Sequence, residues 1–204
     1  ELEQMLRICK QHNVLVISDE IHQDMIIGDR KHIPSFSVAG GAYNDNIITV
    51  TSASKSFNLA GLIHSHILIA DPDLRKRYDD YAITINQTEV NIMGCTATKA
   101  AYLYGHEWLE SLLGVIRENY EYLCSAFARE IPKAVISPLE GTYLLWVDLR
   151  PYLGTENIKA FVQDKCRLAI DYGEWFCPDA AGFIRFNMAT LPSYVHQAAE
   201  NMIR

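Results

Sequence analysis

Two short polar motifs in the first third of the chain each follow an apolar stretch. Residues 18–22 have the sequence SDEIH, and residues 52–55 have the sequence SASK. In open α/β sheets, ligands bind at the carboxyl ends of the strands, and both motifs lie where a predicted strand ends. The pair therefore brings a carboxylate, Asp19, and a primary amine, Lys55, to one edge of a sheet. There the amine could serve as a nucleophile or as a base.

Each of these two residues also has a simpler explanation. An aspartate after a strand is often the N-cap of the next helix, and a single lysine in a loop is usually solvated. The hypothesis of a site depends on the two residues occurring together, with Ser52 and Ser54 beside the lysine. On that basis we predict that Asp19 and Lys55 act in one site.

A third candidate is an arginine inside an apolar strand. Residues 183–188 have the sequence FIRFNM. The two-residue period of a strand puts three apolar side chains on one face, and Arg185 and Asn187 on the other. The guanidinium fork of arginine matches a carboxylate, so Arg185 is a candidate for binding one. The alternative is a strand whose polar face meets water, which would leave Arg185 simply exposed.

The elements that must position these residues follow from hydrophobic periodicity and capping signals. Short apolar runs predict strands at 14–17, 47–51 and 66–70, the first of them buried on both faces. Asp71 and Pro72 predict the start of a helix that continues to residue 85. An irregular surface segment is predicted at 35–46, and two further helices are predicted at 95–104 and 106–131.

Strands and helices alternate over shorter distances beyond Pro132, which predicts a separate small domain. The predicted strands are 142–149, 168–176 and 183–189, and the predicted helices are 156–167 and a last one from 193. The fold class is therefore α/β. We expect residues 1–105 to belong to a large domain, 106–131 to form a connecting helix, and 132–204 to form a small C-terminal domain.

Composition narrows the classes of function. The net charge of −7, without any basic cluster, argues against nucleic acid and against an anionic membrane surface as partners. No apolar run reaches the roughly 20 residues that span a bilayer. Five scattered cysteines without a C-x-x-C pair favour reduced thiols in a cytoplasmic protein. His64 and His66 could share a strand face, but no third ligand is spaced to complete a metal site.

Taken in order along the chain, the motifs resemble those of one family. They are residues 19–22 (DEIH), residues 52–61 (SASKSFNLAG), residues 140–146 (EGTYLLW) and Arg185. This set resembles the class I/II aminotransferase superfamily of fold type I, whose members use pyridoxal phosphate. The branch that it resembles most is the cystathionine β-lyase (C–S lyase) group related to MalY and PatB. The resemblance implies the C-terminal half of such an enzyme: part of the large-domain sheet plus the small C-terminal α/β domain.

By position, the resemblance implies a role for each candidate residue. Lys55 would bind pyridoxal phosphate covalently and move protons at the substrate Cα, while Asp19 would pair with the pyridine nitrogen. Arg185 would hold the α-carboxylate of a small amino-acid substrate. The other cofactor-binding residues would be Ser52 and Ser54 at the phosphate, and His22 near the ring, where many relatives have a tyrosine.

Two departures from the family pattern bear on the activity. Many aminotransferases have an arginine for the cofactor phosphate where this chain has Ile63. Because the lyase branch often lacks that arginine too, the resemblance favours cleavage of the Cβ–S bond of cystathionine or cysteine conjugates over transamination. The family's N-terminal half is missing, so we expect a fragment, for which a catalytically silent interaction module is a further alternative. The resemblance also implies a homodimer.

Overall fold

The computed structural model of the chain describes residues 1–154 and 158–203. These residues form two compact units, each with its own sheet. The first unit comprises Glu1–Met25 and Arg30–Leu109, and the second comprises Ile26–Asp29 and Glu110–Arg204. Both units combine helices with strands, which confirms the predicted α/β class.

The first unit is built on a three-stranded sheet in the order β1-β2-β3. Its strands are β1 Val16–Asp19, β2 Ile47–Thr51 and β3 His66–Ile69. β1 and β2 are parallel, with Asp19 opposite Val50, and β3 runs antiparallel to β2. The carboxyl ends of β1 and β2 therefore meet at one edge of the sheet.

The first strand differs from the prediction in its start and in its burial. β1 begins at Val16 rather than at Val14, and Ile17 is 67% exposed, so the prediction of a strand buried on both faces is wrong. On the other face, Val16 packs against a core that includes Leu6 and Ile47. The described chain covers only that face of the strand, and an apolar run does not show by itself how many faces are covered.

Four α-helices lie wholly within the first unit, and side chains cap the starts of three of them. The four helices are α1 Leu2–Gln11, α2 Ala53–Ser56, α3 Pro72–Thr84 and α4 Ile92–Tyr104. Short 3-10 turns lie at Ser35–Gly41, where the backbone is kinked at residues 38–40, and at Asn44–Asn46. The side chain of Asp71 accepts a hydrogen bond from the Leu74 amide at 2.7 Å, which confirms the predicted cap of α3. Asn91 caps α4 in the same way, so α4 begins earlier than the predicted residue 95.

A long amphipathic helix, α5 His106–Glu130, follows as predicted. Its buried side chains recur at helical spacing on one face and include Leu113, Ile116, Leu123 and Phe127. The division between the two units falls within this helix. No helix in the described part of the chain is both long enough and apolar enough to cross a membrane.

The second unit has a four-stranded antiparallel sheet in the order β4-β5-β7-β6. Its strands are β4 Val135–Ile136, β5 Leu144–Asp148, β6 Asp171–Tyr172 and β7 Phe183–Asn187. Its helices are α6 Arg150–Leu153 and α7 Pro192–Ile203, with a π-helical segment at Ala160–Lys165. The predicted alternation in β7 is confirmed, because Ile184 and Phe186 are buried while Arg185 lies half-buried on the other face.

Two predictions for the second unit need correction. The strand predicted at 168–176 is reduced to β6, because a 3-10 turn begins at Gly173, where the backbone packs closely against the Ala180 carbonyl. The helix predicted at 156–167 is π-helical over Ala160–Lys165. The start of that predicted helix, residues 156 and 157, lies outside the described residues.

Candidate functional site

The parallel pairing of β1 and β2 determines where the first two candidate residues lie. Asp19 is the last residue of β1, and Ser52 follows β2 directly and begins α2, which contains Lys55. Both candidates therefore lie at the same edge of the sheet, as the position of each motif after a predicted strand indicated. Their roles remain predictions, since the geometry alone does not assign chemistry.

Asp19 and Lys55 differ in their surroundings. The Asp19 side chain is exposed, and its Oδ1 atom accepts a hydrogen bond from the Ile21 amide at 3.1 Å, so it closes a tight turn rather than capping a helix. Lys55 is half-buried, and its amine has no hydrogen bond or ion pair to any residue in 1–154 or 158–203. Because no described residue engages this amine, Lys55 is the more informative of the two.

Two serines hold the start of α2. Ser52 is buried, and its hydroxyl donates to the His64 carbonyl oxygen at 2.6 Å while accepting from the Ser54 amide at 3.0 Å. This N-cap bond explains why the chain turns into a helix directly after β2. Ser54 is half-buried, and so is His22, which lies in the turn after β1.

An aspartate that the sequence did not single out connects the two motifs. Asp24 Oδ2 accepts hydrogen bonds from the hydroxyl of Ser56 at 2.7 Å and from that of Tyr102 at 3.1 Å. Burial, together with the nearby Asp24 carboxylate, raises the pKa of Tyr102 to about 12. Because Ser56 is the neighbour of Lys55 and is fully buried, these bonds join the turn after β1 to the helix that carries the lysine.

The second residue of the DEIH motif, Glu20, is also buried. Its carboxylate accepts from the Ser35 amide at 2.9 Å, from the Ser35 hydroxyl at 2.6 Å, and from His32 Nε2 at 2.8 Å. Ser18 adds a fourth bond at 3.0 Å. Burial raises the pKa of Glu20, but the hydrogen bonds from Ser35, His32 and Ser18 outweigh it and hold the pKa below its usual value of 4.5.

Replacing Glu20 with glutamine is expected to lower the free energy of unfolding by about 1–3 kcal/mol at pH 7, because buried donors lose a charged acceptor. A group whose pKa is lower in the folded protein stabilises it above the unfolded pKa, and this stabilisation is lost as the pH falls through the folded pKa. The difference in Tm between wild type and Glu20→Gln should therefore shrink below about pH 4.5. A difference that stays constant from pH 7 to pH 3 in thermal melts would contradict this account.

The third candidate, Arg185, lies in the second unit and has a partner there. Its Nε and Nη2 atoms donate to Oδ2 of Asp171 at 3.0 Å and 2.6 Å, and the two residues face each other across β7 and β6. The guanidinium also lies 4.5 Å from the centre of the Phe176 ring. Burial raises the pKa of Tyr143, whereas the nearby Arg185 acts in the opposite direction. Arg185 is therefore held in place rather than free in solvent.

A cavity of about 710 Å³ opens beside Arg185 in the second unit. We call it the basic cavity, because its lining includes three cations and one carboxylate, namely Lys159, Arg167, Arg185 and Asp171, together with Trp175 and Asn187. Its volume lies in the range of cavities that hold small molecules. Of these residues, only Arg185 was a candidate from the sequence, although Asn187 was expected on the same face of its strand.

The histidine pair of the sequence analysis lies at the start of β3. The rings of His64 and His66 meet edge to face, with their centres 4.9 Å apart. The pKa of His66 is lowered mainly by burial and to a smaller extent by the charge of the neighbouring His64. In the part of the chain that the structure describes, no group of three or more histidine, cysteine, aspartate or glutamate side chains is arranged to hold a metal ion.

Comparison with known proteins decides the family. The profile of the family described as aminotransferase class I and II matches residues 1–201. The chain belongs to this family. The match covers both units, so the family assignment includes the two strand-end motifs as well as the strand that carries Arg185.

Individual members of the family are similar to almost the whole chain. MalY of Escherichia coli (strain K12) is 32% identical over 209 residues, which cover 100% of this chain and 52% of MalY. Cystathionine beta-lyase PatB of Bacillus subtilis (strain 168) is 30% identical over 188 residues, which cover 92% of this chain and 48% of PatB. The solved structure of a PLP-bound C–S lyase from Staphylococcus hominis matches with a TM-score of 0.89 at 32% identity, over 99% of this chain and 51% of that one.

These matches confirm the predicted resemblance to the family and to its lyase branch. They also confirm the predicted fold, since the solved relative has the fold of pyridoxal-phosphate enzymes. The chain spans about half the length of the curated relatives it matches. The assignment of residues 1–105 and 132–204 to a large and a small domain, and the roles of the individual site residues, stay predictions.

Proposed function

We propose that the chain is part of a pyridoxal-phosphate enzyme that cleaves the Cβ–S bond of cystathionine or of other cysteine conjugates. The observation that carries the proposal is the position of Asp19 and Lys55 after two neighbouring parallel strands, with a half-buried lysine whose amine lacks a polar partner among the described residues. The family supports the cofactor, and the similarity to PatB, a cystathionine beta-lyase, supports the reaction.

The residues at this sheet edge fit the chemistry of the cofactor. Lys55 offers a primary amine to an aldehyde, and Asp19 keeps one carboxylate oxygen that the Ile21 amide does not use. Ser52 fits less directly, because its hydroxyl already donates to the His64 carbonyl. We therefore propose that the Ser54 hydroxyl donates to the cofactor phosphate in the described geometry, and that Ser52 does so only after its hydroxyl rotates.

Within this proposal, each residue has a defined task. When bound, pyridoxal phosphate supplies an electron sink for the negative charge that develops at the substrate Cα. The Nζ atom of Lys55 removes the Cα proton, and the Asp19 carboxylate keeps the pyridine nitrogen protonated by its negative charge. His22 would contact the cofactor ring from the turn after β1.

The bonds that Lys55 helps to break determine the products. After Lys55 takes the Cα proton, the electron pair left at Cα forms a double bond to Cβ, and the Cβ–S bond breaks to release a thiolate. The thiolate takes up a proton and leaves as a thiol. One water molecule then converts the remaining three-carbon fragment to pyruvate and ammonia, so that no oxidant or second substrate is needed.

Arg185 is proposed to bind the α-carboxylate of the amino-acid substrate. Asp171 already accepts hydrogen bonds from Nε and Nη2 of Arg185. A substrate carboxylate would therefore accept from Nη1 and from the second N–H of Nη2. From the same family resemblance we propose a homodimer.

We place the protein in the cytoplasm, because its five cysteines are free thiols.

The deciding experiment measures pyruvate release from L-cystathionine without any keto acid. It uses the purified protein, with any sequence that flanks residues 1–204 in it, and added pyridoxal phosphate. We expect pyruvate, ammonia and thiol in equal amounts, because β-elimination needs no amino-group acceptor. Turnover that starts only when a keto acid is added would replace the lyase with the aminotransferase that the family name suggests. If the protein shows no turnover and no cofactor absorbance, the enzyme proposal is wrong and the silent interaction module is the remaining alternative.

A further inference from the structure

The basic cavity of the second unit carries more positive charge than the binding of one α-carboxylate requires. Lys159, Arg167 and Arg185 contribute three cations, and Asp171 contributes one anion. The two bonds from Arg185 to Asp171 largely compensate that arginine's charge. The uncompensated charge of the cavity therefore lies on Arg167 and Lys159.

Arg167 is available to a ligand. Its side chain is exposed at the cavity, and it makes no hydrogen bond, ion pair or ring contact with the residues that the structure describes. A guanidinium keeps its charge at any physiological pH and presents a planar fork that suits a carboxylate.

The backbone at Arg167 is a second, independent observation. The π-helical segment Ala160–Lys165 ends with the Cys166 amide bonded to the Phe161 carbonyl at 2.9 Å and the Leu168 amide bonded to the Val162 carbonyl at 3.0 Å. Between them, Arg167 has a φ of 57°. Glycine is the usual residue in this left-handed position at a helix end. An arginine there costs roughly 1 kcal/mol of backbone strain, and such strained residues cluster at functional sites.

We propose that Arg167, assisted by Lys159, binds a second anionic group of the substrate, a carboxylate carried by the sulfur-linked leaving group. This inference rests on the proposed function, because Arg185 is taken to bind the first carboxylate. The cavity volume of about 710 Å³ is sufficient for a cysteine thioether with a carboxylate at each end. Arg167 is thus a specificity-determining residue that favours thioethers with two carboxylates over thioethers with one.

The test compares two thioethers of equal length. S-(2-carboxyethyl)-L-cysteine ends in a carboxylate, and S-propyl-L-cysteine ends in a methyl group at the same place. The variant is Arg167→Gly, which removes the guanidinium and suits the left-handed backbone, so its Tm should not fall. The matched control is Lys165→Ala, since Lys165 is an exposed cation that lies 5.3 Å from the Phe161 ring and does not line the basic cavity.

In wild type, the kcat/KM for pyruvate release should be higher for the carboxylated thioether. Arg167→Gly should lower the ratio of the two kcat/KM values about tenfold, which is the size expected for the loss of one charge-assisted hydrogen bond. Lys165→Ala should leave that ratio unchanged. A ratio that Arg167→Gly does not change, or that both variants lower equally, would overturn the proposal.

A binding measurement separates this inference from the proposed lyase activity. Isothermal titration of adipate and of hexanoate, at low ionic strength to limit screening, requires no chemistry. Weaker adipate binding by Arg167→Gly, with no pyruvate from either thioether in any variant, would support the anion site and contradict the lyase. Equal binding of adipate by wild type and Arg167→Gly would reject the anion site whatever the turnover.

Discussion

The replacement of Lys55 with alanine is expected to abolish covalent attachment of pyridoxal phosphate and to lower pyruvate release by a factor of about 10³ or more. Lys55 is the residue proposed both to bind the cofactor aldehyde and to move the Cα proton, so its loss removes two functions at once. The attachment is measured as absorbance near the visible edge that borohydride fixes on a single peptide. Peptide mapping of wild type should find the label on Lys55.

The matched control for Lys55→Ala is Lys99→Ala. Lys99 lies in α4 of the same unit, is exposed, and has neither a strand end nor a polar motif beside it. It should keep both the absorbance and the turnover of wild type. A label on another lysine, or undiminished turnover in Lys55→Ala, would show that the site is wrongly placed, because no other residue in the proposal can take the proton.

Much of the first unit could be predicted because its signals are local. β2 has the bounds that its apolar run predicted, and α3 begins at the predicted cap because Asp71 bonds to an amide three residues away. Local signals also placed Asp19 and Lys55 at strand ends, and the parallel pairing then brought those ends to one edge. The family resemblance followed from the same motifs and is confirmed.

The residues that support the site could not be predicted, since their partners are distant in sequence. Ser56 and Asp24 are 32 residues apart, and Ser35 lies 15 residues beyond the Glu20 carboxylate that it contacts. Nothing in hydrophobic periodicity identifies such pairs, because they depend on how loops pack over the sheet. Burial of β1 was mispredicted for a related reason, since an apolar run states a preference for burial and not what covers it.

Asp171 shows how an error in the bounds of a strand conceals the partner of a candidate residue. The prediction of a long strand at 168–176 did not identify Asp171, whereas the observed β6 has two residues and places Asp171 directly opposite Arg185. The alternative considered for Arg185, a side chain simply facing water, is replaced by an arginine held by a carboxylate and an aromatic ring. In the role proposed for Arg185, this arrangement would align the guanidinium before a substrate arrives and would so lower the entropy cost of binding.

Arg185→Ala is expected to raise KM for amino-acid substrates by about 10- to 100-fold, because the α-carboxylate loses a charge-assisted bond. The cofactor absorbance should stay unchanged, since Arg185 is proposed to contact the substrate and not the cofactor. The fold should also survive, because the pair with Asp171 is partly exposed and such pairs contribute at most about 1 kcal/mol. Initial rates over a range of substrate concentrations, with the spectrum recorded on the same samples, measure both effects.

Arg150→Ala provides a closely matched control for this change. Arg150 lies in the same unit, pairs with Asp148 at 2.7 Å, and lies 4.4 Å from the centre of the Phe183 ring, so it repeats the surroundings of Arg185 without lining the basic cavity. Its loss should leave KM at the wild-type value. If Arg185→Ala instead bleaches the cofactor, the arginine binds the cofactor rather than the substrate. If both variants raise KM equally, the effect belongs to the charge of the unit and not to a carboxylate site at Arg185.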